Sequence, residues 1–337
     1  MPECGSQIIL CNLPVRFDTY SGCSHGCKYC FANRKTDISK IRVKESAQSL
    51  LNFINGKRSK ETAWADWDIP IHWGGLSDPF QPVEKNYRVS HEALKVFAET
   101  KYPFVVSTKG RLIADPEYIE LFKETNSVIQ ISLVSETFDK IEPGAPPFNE
   151  RLGMIEKLAK ETGKRIIIRV QPYVRTVKDE LIENLKTYSD IGVYGITIEG
   201  IKLLTKASGF VKVGSDFCYP VEDLKKDFLE IREECHKNHL RFFCAENRLR
   251  NMGDDLTCCG TENLQEFTPN RANLNYFLHK PDEFGYTKAM EKAGSGGPFR
   301  VLRQDLLGSF LERNSYKDNF EHVITDKAML EIMGYKE

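Results

Sequence analysis

Short apolar runs alternate with amphipathic segments through the first two thirds of this chain, and that alternation limits its fold more than any other feature. Strands are expected at 6–12, 69–73, 104–107, 128–133, 165–170 and 195–198, each apolar or β-branched and bounded by Gly, Pro or charged residues. Helical patterns fill 39–55, 90–100, 115–125, 149–162 and 178–188, with Ser39, Ser90 and the Asp115-Pro116 pair as starting signals. Six such alternations favour parallel strands joined by right-handed crossovers. Polar residues gather just after each strand, where barrel enzymes place their sites. The expected fold class is α/β: a partial (β/α)6 TIM-like barrel over 1–204, then a mainly helical C-terminal extension over 205–337. The glycine-rich stretch 293–298 reads as a connector rather than a phosphate nest, since no strand-loop-lysine pattern surrounds it.

A chain of 337 residues can bury a sizeable core without disulfides. The N-terminus, MPECGSQIIL, lacks the basic-then-apolar pattern of a secretory signal. No apolar run reaches the roughly 18 residues a membrane helix needs. These points predict a cytoplasmic protein with no membrane contact, in a reducing compartment where ten cysteines favour metal or redox chemistry. With 47 Lys+Arg against 48 Asp+Glu, the net charge of −1 excludes a protein that holds nucleic acid by bulk positive charge. A local basic groove stays compatible with it.

The cysteines fall into two groups: Cys4, Cys11, Cys23, Cys27 and Cys30 in front, and Cys218, Cys235, Cys244, Cys258 and Cys259 behind. Within the first, Tyr20-Ser-Gly-Cys23-Ser-His-Gly-Cys27-Lys-Tyr-Cys30 has the spacing Cys-x3-Cys-x2-Cys. Three thiolates on one short loop can hold three irons of a cubane cluster and leave the fourth open to another ligand. A structural zinc site wants four ligands, usually as two Cys-x2-Cys pairs, and no second pair exists. His25 as a fourth ligand would strain tetrahedral closure.

Cys-x3-Cys-x2-Cys after a first strand, with aromatic Tyr29 just before the last cysteine, resembles the radical S-adenosylmethionine (SAM) superfamily. Three further stretches are similar to its spore-photoproduct-lyase-like branch: Gly74-Gly75-Leu76-Ser77-Asp78-Pro79-Phe80-Gln81-Pro82-Val83-Glu84, Ser107-Thr108-Lys109, and Glu142-Pro143-Gly144-Ala145-Pro146 with Arg151. The resemblance spans about residues 8–200. It implies a barrel of the radical SAM type, a [4Fe-4S] cluster on Cys23, Cys27 and Cys30, and SAM chelated to the open iron. The reduced cluster would then cleave SAM to methionine and a 5′-deoxyadenosyl radical that takes hydrogen from a substrate. It also implies an electron donor such as flavodoxin or ferredoxin.

On this resemblance, Tyr29 approaches the adenine, and Gly74 and Gly75 let backbone carbonyls reach the SAM ammonium. The family has an acidic residue after the two glycines. Leu76 stands there here, which moves that contact to Ser77 or to the backbone, with Asp78 beside it. Ser107, Thr108 and Lys109 would hold the ribose and the methionine carboxylate, with Ser132 and Arg169 facing the interior. An arginine in an apolar strand needs a partner; the SAM carboxylate and Glu199 are both candidates. Asp78 also reads as a helix cap, Glu84 as a surface charge, and His72 as a satisfied core histidine. Trp64 and Trp67 would stack on nucleobases or pack a loop over the barrel. Tyr173 and Arg175 follow the fifth strand and are expected at the substrate mouth.

Cys244 and the Cys258-Cys259-Gly260 run leave three readings open: a second iron–sulfur cluster or metal site on Cys244, Cys258 and Cys259, a catalytic thiol on Cys258 or Cys259 that supplies hydrogen to a substrate radical, or buried cysteine. Arg241, Arg248, Arg250 and Arg271 surround this group and would give it local positive charge, or form solvated helix faces. The function expected is a lyase-like radical SAM enzyme acting on a nucleobase, in photoproduct repair or base modification, with nucleic acid as substrate. The alternative is radical modification of a peptide or small metabolite, and a non-catalytic iron–sulfur or zinc protein is a remote third.

Overall fold

The computed structural model describes residues 1–4, 10–34, 37–59, 61–203, 206–213 and 216–285. Seven parallel strands form the frame: β1 (Val15–Phe17), β2 (Ile71–Trp73), β3 (Phe104–Thr108), β4 (Ser127–Ser132), β5 (Arg165–Tyr173), β6 (Gly195–Gly200) and β7 (Arg241–Cys244). They pair in chain order, and Glu3–Cys4 adds an antiparallel edge beside β1. Helices α1 (Ala47–Ile54), α2 (Val89–Thr100), α3 (Pro116–Lys123), α4 (Phe148–Thr162), α5 (Lys178–Asp190) and α6 (Val221–Lys237) lie in the crossovers, and α7 (Leu274–His279) follows β7.

The period-two pattern explains why the strands bend around a centre. Phe104, Val106, Ile129, Ile131, Ile166, Ile168, Ile196 and Ile198 point outward into the core shared with the helices. Phe97 of α2 stacks on Phe104 with ring centroids 3.9 Å apart. Burying one such aromatic side chain contributes about 1.5–3 kcal/mol. Alternate residues Val105, Val128, Ile167 and Phe243 point inward and form a second apolar cluster with Leu13, Cys259 and Phe267. One residue further along the alternation the inward side becomes polar, with Ser107, Gln130, Arg169 and Thr197. The inside is thus apolar at the N-terminal end of the strands and polar toward the C-terminal end, where a barrel places its site.

Two expectations shift. The strand expected at 6–12 falls largely on residues 5–9, which lie outside the described ones, and the first parallel strand described is Val15–Phe17. The sheet also does not stop at residue 204: β7 pairs in parallel with β6, Phe243 opposite Thr197. Among the described residues no ladder joins β7 to β1. The opening between them is filled by the chain after β7. Asn270 donates its backbone N–H to the Asn12 carbonyl (2.7 Å) and Asn275 donates Nδ2 to the Leu10 carbonyl (2.8 Å). The stretch 293–298 lies outside the described residues.

Candidate functional site

Cys23, Cys27 and Cys30 occupy the loop after β1, at the C-terminal end of the strands. All three are free thiols, and Cys23 and Cys27 line a cavity of about 540 Å³ with Ser24, Gly26, Ile38 and Ile41. Among the described residues no three His, Cys, Asp or Glu side chains are gathered to hold a single metal ion. A cubane would take the three thiolates, each on a different iron. Burial pushes the Cys23 thiol up to about 12, so a metal that binds there must displace its proton. The donor set, the loop and the cavity fit a [4Fe-4S] cluster.

The loop is held by the stretch Ser77 to Glu84. Ser77 donates its hydroxyl to the Tyr20 carbonyl. Gln81 accepts from the Ser24 N–H (2.9 Å) and donates to the Gly22 carbonyl (3.1 Å). Asp78 Oδ2 lies 3.0 Å from His25 Nε2, while His25 Nδ1 sits 2.9 Å from the Gly144 carbonyl. The Asp78 carboxylate also accepts from the N–H groups of Phe80, Lys109 and Gly110 and from the Thr108 hydroxyl. Burial opposes its charge, but His25 and these donors outweigh burial and hold it down to about 2. Glu84, expected on the surface, is fully buried. It accepts from Tyr20 and Tyr118 (2.8 Å for the latter) and caps α2 through the N–H groups of Ser90 and His91.

A second tie comes from Glu142, after β4. It meets Arg151 of α4 at 2.6 Å, lies 3.7 Å from Lys109 and accepts from the Tyr29 hydroxyl. The ammonium of Lys109 sits over the Tyr29 ring, 5.6 Å from its centroid. The side chains of Tyr29, Lys109 and Asp78 therefore anchor loops, which leaves backbone groups there as the candidate SAM contacts. Gly74 has φ +84°, and a Cβ on it would lie 2.4 Å from the Ser107 carbonyl, so only glycine fits. Gly75 lies against the Arg16 side chain.

Below the loop a hydrogen-bonded row crosses the interior. His72 Nε2 is 2.8 Å from the Ser107 hydroxyl, Ser107 donates to Gln130 Oε1 (2.9 Å), and Arg169 Nη1 reaches the same oxygen at 3.3 Å. Arg169 Nε donates to Gln171, which in turn donates to Glu199. Gln171 thus stands between Arg169 and Glu199, which pairs with Lys202. Ser132 ends β4 in register with Arg169. Gln130 Nε2 and the Thr197 hydroxyl are buried without a hydrogen-bond partner among the described residues, as expected where a polar ligand completes the set.

Tyr173 is not at the mouth. Its hydroxyl donates to Asp227 of α6 (3.0 Å) and its ring packs edge-on against Phe228, because the ladder shifts register between Val170 and Tyr173 and turns the side chain to the helix layer. Arg175 pairs with Asp223 and Asp227 beside it. Cys244 belongs to the outer core and Cys259 to the inner cluster, so a second cluster on Cys244, Cys258 and Cys259 has no support. Arg241 pairs with Asp254 and Glu262, Arg248 with Glu246, and Arg271 with Glu283; the expected positive patch is largely neutralised. Trp64 is buried against Trp67, whose Nε1 donates to the Thr268 carbonyl, so both pack.

Sequence signals missed five features. Gln81 and Glu84 lay inside a quoted stretch but carried no sign of their partners. The strand β7, Arg-Phe-Phe-Cys, was signalled only by two aromatics after a long amphipathic helix. Asn12 and Asn275 carry no motif.

A parallel strand frame with a three-cysteine loop clamped over its C-terminal end is the arrangement that the radical SAM resemblance leads one to expect. Residues 18–185 match the radical SAM superfamily, and the chain belongs to it. An uncharacterized protein of Mycobacterium tuberculosis (strain H37Rv) is 25% identical over 218 residues, covering 59% of this chain and 62% of that protein. An uncharacterized protein of Methanocaldococcus jannaschii is 26% identical over 174 residues, 48% of this chain and 60% of the relative. The chain thus spans less than two thirds of the curated relatives it matches. The fold is similar to spore photoproduct lyase complexed with dinucleoside spore photoproduct (TM-score 0.52, 16% identity, 68% of this chain and 76% of that one). It is also similar to Streptococcus suis SuiB bound to S-adenosylmethionine (TM-score 0.50, 14% identity, 68% and 49%). Membership implies SAM and a [4Fe-4S] cluster. No helix among the described residues is long and apolar enough to cross a membrane.

Proposed function

We propose that this protein binds a [4Fe-4S] cluster on Cys23, Cys27 and Cys30 and cleaves SAM reductively, acting on a nucleobase held at the mouth of the barrel. The clamp of the three-cysteine loop over the polar end of the barrel carries this reading. When bound, the cluster and SAM supply the one-electron chemistry that yields a 5′-deoxyadenosyl radical. The chain's own part is placement. Ser77, Asp78, Gln81 and Glu142 fix the loop against the strand ends. Backbone groups at Gly74, Gly75 and Tyr29 contact SAM, with Ser77, Ser107, Thr108 and Ser132 around it. Arg169, with no carboxylate partner among the described residues, is the counter-charge for the SAM carboxylate. Gln130, Thr197 and Gln171 offer the hydrogen-bonding edges that a polar heterocycle needs. A thiol of the Cys258–Cys259 pair returns hydrogen to a substrate radical. A flavodoxin or ferredoxin supplies the electron.

The neutralised arginines around residues 241–271 favour a second reading, a peptide or small metabolite, because a long phosphate backbone would find little free positive charge there. Anaerobic reconstitution should give about four irons per chain, and SAM plus a strong reductant should release 5′-deoxyadenosine. A fully loaded protein that binds SAM and never cleaves it overturns the catalytic reading. Deuterium transfer into 5′-deoxyadenosine from ultraviolet-irradiated DNA or tRNA supports the nucleobase. Transfer only from cell-extract peptides or metabolites replaces it with the second reading.

A further inference from the structure

Cys258 and Cys259 stand where the chain after β7 presses into the barrel. Their sulfurs are 3.8 Å apart. The turn is pinned on both sides: Thr257 donates its N–H and hydroxyl to Asp255 (2.7 Å each), and Arg165 donates to the carbonyls of Gly260 (3.1 Å) and Glu262 (2.7 Å). Gly260 has φ +71°, and a Cβ there would meet Ile167 Cδ1 at 2.6 Å, so the turn sits directly against the inner face of β5. Cys259 is buried in the inner apolar cluster, while Cys258 keeps partial exposure.

The surroundings of the two thiols differ. Arg250 is 4% exposed and has no carboxylate partner among the described residues; its Nη2 bonds Asn247, and Nε and Nη1 are left without an oxygen acceptor. A buried guanidinium needs an anion. The Cys258 sulfur is the neighbour that can supply one: the bond from Cys259, then Arg250 and Arg169, lower the Cys258 thiol, while Cys259 is raised by the same contact and by burial.

We propose that Cys258 and Cys259 form a reversible dithiol–disulfide centre in the wall of the barrel. With a low-molecular-weight disulfide RSSR as oxidant, the Cys258 thiolate attacks one sulfur and releases RS⁻. The Cys259 thiol then gives up its proton and attacks the Cys258 sulfur, releasing a second RS⁻ that takes that proton. The pair loses two electrons and one proton, and RSSR becomes RS⁻ and RSH. Adjacent Cα atoms lie about 3.8 Å apart, shorter than disulfides favour, so the closed form is readily reduced again. Open, the pair carries a thiolate on Cys258 and an S–H on Cys259; closed, it carries neither. The link to radical chemistry rests on the function proposed above. The redox behaviour of the pair does not.

The test uses the full chain with its cluster, held without oxygen and equilibrated with reduced and oxidised glutathione in graded ratios. Acid quenching, iodoacetamide and trypsin follow. Cleavage after Arg250 and Arg271 yields peptide 251–271, whose only cysteines are the two in question. The expected result is conversion from a doubly alkylated peptide to one lighter than the dithiol by two hydrogens, reversed by dithiothreitol. In Cys259→Ser, Cys258 should accumulate the glutathione adduct. In Cys258→Ser, Cys259 should take it at least about tenfold more slowly. A peptide that stays doubly alkylated at every ratio overturns the proposal. So does recovery of Cys258 joined to the Cys11 peptide. Neither readout depends on SAM cleavage, so failure here and failure of the proposed function are told apart.

Discussion

Replacing Asp78 by Asn turns one acceptor oxygen into a donor at a point where the protein offers almost only donors. Oδ1 accepts from the Phe80 N–H (2.8 Å) and the Thr108 hydroxyl (2.6 Å), and Oδ2 from the Lys109 (2.6 Å) and Gly110 (3.2 Å) N–H groups, with His25 3.0 Å away. The amide would turn its oxygen toward the more crowded side and its NH2 toward Phe80 and Thr108. The Thr108 hydroxyl can rotate and accept. The Phe80 N–H cannot, and it is left buried without a partner at a cost of about 1–3 kcal/mol. Loss of the negative charge weakens the remaining bonds by about 1 kcal/mol more. The expected loss is about 2–4 kcal/mol, a large share of a typical 5–15. Urea unfolding of the cluster-free chain, followed by tryptophan fluorescence, should show a midpoint about 1 M lower. Iron loading should fall with it, because the same carboxylate holds the loop of Cys23 and Cys27. A midpoint within about 0.2 M of the parent would refute the geometry assigned to Asp78.

Cys27→Ala should abolish release of 5′-deoxyadenosine while far-ultraviolet circular dichroism stays unchanged; retained cleavage removes the cluster assignment. Arg151→Met leaves Glu142 buried with Lys109 as its nearby cation and the Tyr29 hydroxyl as its donor, and should cost about 3–5 kcal/mol in the same unfolding assay; a neutral result shows that Lys109 and Tyr29 together balance Glu142. Burial, then Arg169 and Arg16, pull the His72 imidazole down from 6.5 to about 3. The unfolded chain takes up that proton and the folded chain does not. Stability is therefore full above about pH 6.5 and falls toward pH 3, by up to about 1.4 kcal/mol per unit. His72→Gln should flatten that fall in Tm between about pH 6 and 4, and equal slopes for the two proteins count against a neutral His72.

Periodicity carried most of the frame. Strands such as Phe104–Thr108 and helices such as Phe148–Thr162 were legible because apolar residues recur at two or at three to four positions over enough length to be distinctive. Arg241–Cys244 was not, since four residues cannot show a period. The three cysteines were legible from spacing alone. Glu84 was not, because a charge reads as exposed unless its partners are seen, and Tyr20 and Tyr118 lie 64 and 34 positions away. Tyr173 follows Arg169 and Gln171 at even spacing and so reads as inward. Only the ladder shows the register shift that turns it to Asp227. The arginines of the C-terminal part were legible as charges, but their neutralisation depends on acids such as Asp254 that approach only in three dimensions.

The gap between β7 and β1 separates two tasks that a fully laddered barrel would fuse. The strands form a frame whose ladders, among the described residues, take no strand from the chain that follows β7. That later chain is fitted in like a panel, fastened by Asn270 and Asn275 to the backbone of Leu10, Cys11 and Asn12. A panel can be reshaped, or exchanged between relatives, without breaking a single rung of the frame. On the proposed function, the wall beside the substrate can then diversify while the cysteine loop and the strands that carry it are kept.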